Sequence, residues 1–362
     1  MDKIFLSVLL LSLLFSCSQS INKGEDGSGE ALKMRQQLMN LSGSGIFFGH
    51  QDDLAYGIGW NGIPGESDVK RVTGSYPAIF GWELGNIGEV RNLDGVPFDS
   101  IKTYIKRAYR LGGINTISWH ARNPATNFDA WNLSQVNVSS LLPGGEHHSQ
   151  FISRLNLIAG FLADLKTDNG ELIPLIFRPW HEMYGNWFWW GISTCTDEEY
   201  KQLYQFTCNY LRKNKGLKNL LFAFSPDRNF NSEEEYLRRY PGDDYVDILG
   251  LDDYADFRDN RLDMIVVRLG IVSDLAREKD KIAAFTETGS DRLTIPNWYS
   301  ANLLQVLNAS EKTRCISYVM VWRNRDINHF YVPWNGSGKE DDFRNFVNDK
   351  LIFLLDDLKK QQ

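Results

Sequence analysis

Short apolar runs recur along the chain, and most end on a polar or charged residue. Ile46–Gln51 is the first. Runs 78–84, 114–120 and 173–182 follow. Runs 220–226, 246–252, 281–287 and 316–323 complete a set of eight. Apolar runs of this length read as strands buried on both faces of a parallel sheet. Between them lie segments with apolar residues at helical spacing. The spacing predicts helices over 30–41, 98–111, 151–165, 198–211, 261–277, 298–307 and 342–358, with shorter ones over 67–72 and 233–240. Thr196-Asp197-Glu198-Glu199 has the form of a capped helix start. Eight strands alternating with helices predict an α/β protein, a single (β/α)8 TIM barrel. Active sites of such barrels lie at the carboxyl ends of the strands. His50, Glu83, His120, Glu182, Asp252, Glu287 and Arg323 all fall at or just past those ends. Solubility alone does not require so many polar groups on one face.

The amino terminus departs from this pattern. Lys3 precedes an apolar stretch, residues 4–15, too short to span a bilayer. Leu14-Phe15-Ser16-Cys17 then resembles a bacterial lipobox, which implies cleavage after residue 16 and lipidation of Cys17. Phe15 is bulky for its place, so an ordinary signal peptide is the alternative. Residues 17–29 read as a flexible tether, and residues 30–362 as the catalytic barrel. The expected location is the envelope of a Gram-negative-type bacterium, periplasmic or outer-membrane, with membrane contact only through the lipid.

Composition narrows the chemistry. With 362 residues, 43% hydrophobic and 23% charged, the chain can build one large core. A net charge of −7 without a basic stripe argues against a nucleic-acid partner. Cys195, Cys208 and Cys315 show no C-x-x-C spacing. Cys315, opening an apolar run, reads as a small core residue. Gly185 stands where an H-E-x-x-H metal motif starting at His181 would need its second His. The 11 tryptophans include Trp180, Trp187, Trp189 and Trp190, crowded around Glu182. Apolar aromatic surroundings raise a carboxyl pKa, as a general acid requires, and flat rings suit the C–H faces of sugars. Glu182 and Glu287 fall on strands four and seven, across the barrel from each other. Two facing carboxylates are what glycoside hydrolysis needs.

The stretch 178–190, Arg-Pro-Trp-His-Glu-Met-Tyr-Gly-Asn-Trp-Phe-Trp-Trp, closely resembles the acid/base signature of glycoside hydrolase family 26, the β-mannanases of the retaining 4/7 clan. Phe285-Thr286-Glu287-Thr288-Gly289 resembles that family's nucleophile strand. The resemblance runs from about His50 to Trp334. It implies Glu182 as acid/base and Glu287 as nucleophile. It implies that His181 contacts substrate beside Glu182 and that Trp187 stacks in the acceptor subsite. Tyr254 would orient Glu287, Trp322 would lie under the −1 sugar, Arg323 would bind the −2 sugar, and His120 would line the donor side. Arg178 and Asp252 are expected in support, and His50 as support with some reach to the cleft. The implied substrate is β-mannan or manno-oligosaccharide, cut by a monomer with no cofactor and no metal.

Rival readings exist for several residues. Arg323 could instead pair with Asp326 or Glu287, and Trp189 and Trp190 could pack the loop. The same family could act on lichenan or β-1,3-xylan, or the chain could be a non-catalytic glycan binder. Segment 125–150 is long enough to wall off subsites, so endo action and mannobiose release are both open.

Overall fold

The computed structural model describes residues 27–134 and 138–360; Cys17 lies outside them. Eight parallel strands form the barrel: β1 (Ile46–Gln51), β2 (Ile79–Glu83), β3 (Ile114–Trp119), β4 (Leu175–Pro179), β5 (Leu220–Phe224), β6 (Ile248–Asp253), β7 (Ile282–Thr288) and β8 (Tyr318–Val321). Each pairs with the next, and β1 pairs with both β2 and β8, which closes the cylinder. Ile352–Phe353 adds a short parallel strand beside the start of β1. The (β/α)8 expectation therefore holds.

The two-sided apolar runs have a simple cause. Alternate strand residues point in and out. Phe47, Ile79, Ile176, Leu221, Ile248, Ile282 and Met320 fill the barrel. Phe48, Phe80, Phe177, Phe222, Leu249, Phe285 and Val319 pack outward under the helices. Helix Gly29–Asn40 inserts Met34 and Leu38 into the inner cluster and so plugs the bottom. Thr196 and Glu199 form the expected reciprocal cap on helix Asp197–Asn209.

Four expectations need correction. The run 173–182 is a strand only from Leu175 to Pro179; Trp180 and Glu182 have φ of 54° and 56°. Segment 342–358 is not one helix. Helix Glu340–Val347 ends in a turn that Asp349 stabilises through the Leu351 N–H, Ile352–Phe353 joins the sheet, and Leu355–Lys359 is helical again. Segment 298–307 is helical but begins with a π turn at Trp298–Leu303. Cys195, Cys208 and Cys315 are free thiols, and Cys315 is half-buried rather than core.

Candidate active site

The active face is built on two local irregularities. The first is the corner after β4. Left-handed φ at non-glycine residues costs about 1–3 kcal/mol each, so surrounding contacts must hold Trp180 and Glu182 there. The Trp180 ring is fully buried among Trp119, Trp189, Trp190 and Phe151. Its Nε1 donates to Thr207 Oγ1 at 3.0 Å, and Tyr200 donates to its carbonyl at 2.8 Å. The Glu182 N–H donates to the Ser225 carbonyl at 2.8 Å. Most tryptophans of this stretch therefore hold backbone. Only Trp187, 39% exposed, faces the cleft.

The second irregularity is a bulge in β7. Leu251 of β6 pairs with Phe285, but Asp252 pairs with Glu287, so Thr286 is the extra residue. The register against β8 shifts at the same place. Bulges re-aim side chains at sites of this kind. Here the bulge aims Glu287 into the mouth. Thr286 Oγ1 turns to the Leu251 carbonyl and to Asp252 Oδ1, at 3.0 and 2.7 Å. Gly250 leaves room for it, because a Cβ there would lie 2.4 Å from Thr286 Oγ1.

Glu182 and Glu287 line one cavity of about 800 Å³ with His120, Trp131, Trp187, Tyr254, Trp322 and Tyr331. Arg178 rises from β4 to bond Asp252 Oδ2 at 2.6 Å and Glu287 Oε2. Tyr254 donates to Glu287 Oε1 at 2.8 Å. Trp187 Nε1 donates to Glu182 Oε2 at 2.5 Å. Burial, then the charges of Glu287, Asp252 and Asp227, push the Glu182 carboxyl well above its ordinary range, against the pull of Arg178. The two glutamates thus sit in opposite settings. Glu287 is gripped by a cation and a phenol, and Glu182 is pressed by negative charge.

A histidine pair backs the cavity. Glu83 is buried at the end of β2 and accepts from Ser118 Oγ, the His120 N–H and the Gly85 N–H. His120 Nδ1 bonds it at 2.8 Å. Burial works against charge here, yet Glu83 holds the His120 imidazolium above its usual value, and His120 and Ser118 hold the Glu83 carboxyl below its own. Burial and the nearby charges of Arg178 and His120 press His181 the other way, well down. Their Nε2 atoms meet at 3.3 Å, and these opposite shifts favour His120 as the donor and His181 as the acceptor.

Several expected contacts change on this geometry. His181 is fully buried and reaches the cleft only through His120. Its ring packs on Phe188 and Trp190. His50 is equally buried and bonds Asp53 at 2.8 Å, so it is support without reach. Arg323 is half-buried and ion-paired to Asp94 at 2.8 Å, rather than to Asp326 or Glu287. Trp189 and Trp190 pack the loop. His120, Glu182, Trp187, Asp252, Tyr254, Glu287 and Trp322 do converge on the cavity. Sequence reasoning missed Trp131, Asp227 and Tyr331. Trp131 stacks on His120 at 5.3 Å and 17°, and a lone tryptophan in a polar loop was its only signal.

Paired carboxylates at the ends of β4 and β7, one pushed towards its neutral form and one gripped by a cation, make a site of the glycoside-hydrolase kind. Residues 25–291 match the model of Glycosyl hydrolase family 26. A mannan endo-1,4-beta-mannosidase of Bifidobacterium adolescentis is 34% identical over 359 residues, 92% of this chain and 35% of that protein. The chain thus spans about a third of that relative's length. A solved GH26 beta-mannanase from Bacteroides ovatus superposes with TM-score 0.87 and 41% identity, over 91% of this chain and 96% of that one. A modular endo-beta-1,4-mannanase from Cellulomonas fimi gives 0.86 and 35%, over 92% and 77%. The chain belongs to glycosyl hydrolase family 26.

Proposed function

We propose that the protein is a retaining glycoside hydrolase that cleaves β-1,4-mannosidic bonds in mannan, galactomannan or glucomannan and in manno-oligosaccharides. The observation that carries this reading is the contrast between the two glutamates. Glu287, oriented by Tyr254 and Arg178, attacks the anomeric carbon. Glu182, kept neutral by burial and neighbouring charge, protonates the leaving oxygen. A glycosyl ester forms on Glu287. Glu182, now ionised, takes a proton from water, which releases the sugar with its configuration retained. The protein's own carboxyls supply every proton and the nucleophile. The mannanase names of the relatives support the substrate class. Trp187 and Trp322 line the same cavity as the two glutamates, and aromatic faces there support a sugar substrate.

Glu287→Ala should lower turnover on mannan by several orders of magnitude in a protein that melts like the wild type. Undiminished activity in a clean preparation would refute the assignment. Release of reducing sugar from lichenan or β-1,3-xylan but not from mannan would move the substrate within the family. Binding of mannan without any release would leave a glycan binder. A ladder of products from a manno-oligosaccharide series indicates endo action, and mannobiose alone from the start indicates exo action. NMR of the product anomer at early times checks retention. We also propose a monomer, lipid-anchored in the envelope through Cys17. Labelling with a tagged fatty acid that survives Cys17→Ala would refute the anchor.

A further inference from the structure

Three carboxylates act on Glu182: Glu287 from β7, Asp252 from β6 and Asp227 from the loop after β5. Arg178 bonds the first two. Asp227 is matched by no cation among its described bonds. Its chain neighbour Arg228 pairs with Asp256 and Asp259 instead. Yet Asp227 is only 3% exposed. Its Oδ1 accepts from the Asn229 N–H at 3.0 Å and from the Asn229 amide at 2.5 Å, while its Oδ2 is buried without a hydrogen-bond partner. A buried carboxylate with no cation beside it is costly as a structural element. Its place is specific. It bridges Asp252 on the next strand and lies in the wall of the cavity that holds Glu182.

Other groups that bear on Glu182 are the Trp187 indole, the Arg178 guanidinium and the Tyr254 phenol, none of them an anion. We propose that Asp227 is a positioning residue for the acid step: its uncompensated negative charge beside Glu182 keeps the transferable proton on Glu182 until the leaving oxygen takes it. This rests on Glu182 being the general acid. Burial pushes the Asp227 carboxyl up to about 6, against the Asn229, Asp227 and Gly185 N–H groups and the Asn229 amide, so its charge is present above that pH. A like charge favours the neutral form of its neighbour. Oδ2 is closed off from solvent, so Asp227 acts through Glu182 rather than by gripping sugar.

The test is the pH profile of kcat/KM on a manno-oligosaccharide for the wild type, Asp227→Asn, Asp227→Ser, Asp227→Glu and Glu182→Gln. The basic limb of that profile reports loss of the acid's proton in the free enzyme. Both neutral variants should move the limb to lower pH by about one unit, a tenfold loss on its alkaline side. Asp227→Glu, which restores the charge, should return it towards the wild-type position. Glu182→Gln should abolish it. A uniform drop in rate in the neutral variants, with the limb unmoved, would mean a merely structural Asp227 and overturn the proposal alone. A limb that persists in Glu182→Gln would overturn the acid assignment and this proposal with it. Having two neutral side chains of different size keeps the test open if one of them fails to fold.

Discussion

Trp187→Phe isolates one hydrogen bond while keeping an aromatic face in the cleft. The bond lost runs from indole Nε1 to Glu182 Oε2 at 2.5 Å. Hydrogen bonds to charged groups contribute about 1.5–3 kcal/mol. Trp187 is 39% exposed, so solvent screening places this one at or just below the low end, about 1.4 kcal/mol. That is about one pH unit in the ionisation of Glu182. A donor favours the carboxylate, so removing it makes Glu182 harder to ionise. The basic limb of kcat/KM should therefore move to higher pH by about one unit. On the proposed mechanism, turnover limited by the second step, which needs ionised Glu182, should fall up to tenfold at pH values below the limb. The assay is a pH series of initial rates on manno-oligosaccharides, with kcat and KM separated at each pH. A raised KM with an unmoved limb would refute the reasoning and leave Trp187 as a sugar platform only. Combined with Asp227→Asn, the two opposite displacements should largely cancel.

Other outcomes follow from the same geometry. Tyr254→Phe removes the 2.8 Å bond to Glu287 and should cost about 10- to 100-fold in kcat, read from steady-state rates, with the melting temperature little changed. Trp180→Ala empties a fully buried site and should cost about 3–5 kcal/mol in denaturant unfolding. It should also lower turnover in the protein that stays folded, because the left-handed corner loses its packing. The Glu83–His120 pair should make a bell of stability against pH. The Glu83 share is complete above its ordinary 4.5 and is lost as pH falls through its lowered folded value. The His120 share is complete below its ordinary 6.5 and is lost as pH rises through its raised folded value. The melting-temperature gap between wild type and Glu83→Gln should be widest between those two pH values and narrow on both sides.

The barrel was legible because both faces of every strand are buried, which leaves apolar runs that no other element explains. β1 was bounded correctly, Ile46–Gln51. The end of β4 was not, because Trp180-His181-Glu182 continues the run in composition while turning away in backbone. Nothing in residue type reports a positive φ at a tryptophan. The last helix was overextended for a related reason. Ile352 and Phe353 fit a helical stripe, but sheet pairing with Ile46 and Phe47 outweighs it. The two glutamates and Tyr254 could be placed because strand ends and a family motif fix them. His181 and Arg323 could be named but not placed. Whether a polar side chain faces a cleft or a buried partner depends on residues distant in sequence, here His120 and Asp94. Asp227 and Trp131 sit in loops, whose paths hydrophobic periodicity does not describe.

Arg178 bridges Glu287 and Asp252, and this fixes how the site's charge moves through the proposed double displacement. Esterification turns Glu287 neutral. Arg178 is then left with Asp252 alone, and one of the negative charges that press on Glu182 has vanished. The carboxyl that gave up its proton becomes easier to keep ionised, at the moment a base is wanted. When water cleaves the ester, the charge returns to Glu287 and the pressure to reprotonate Glu182 returns with it. The guanidinium need not move for this, because both its partners are fixed on strands of the barrel wall. The site resets itself by counting charge around one stationary cation.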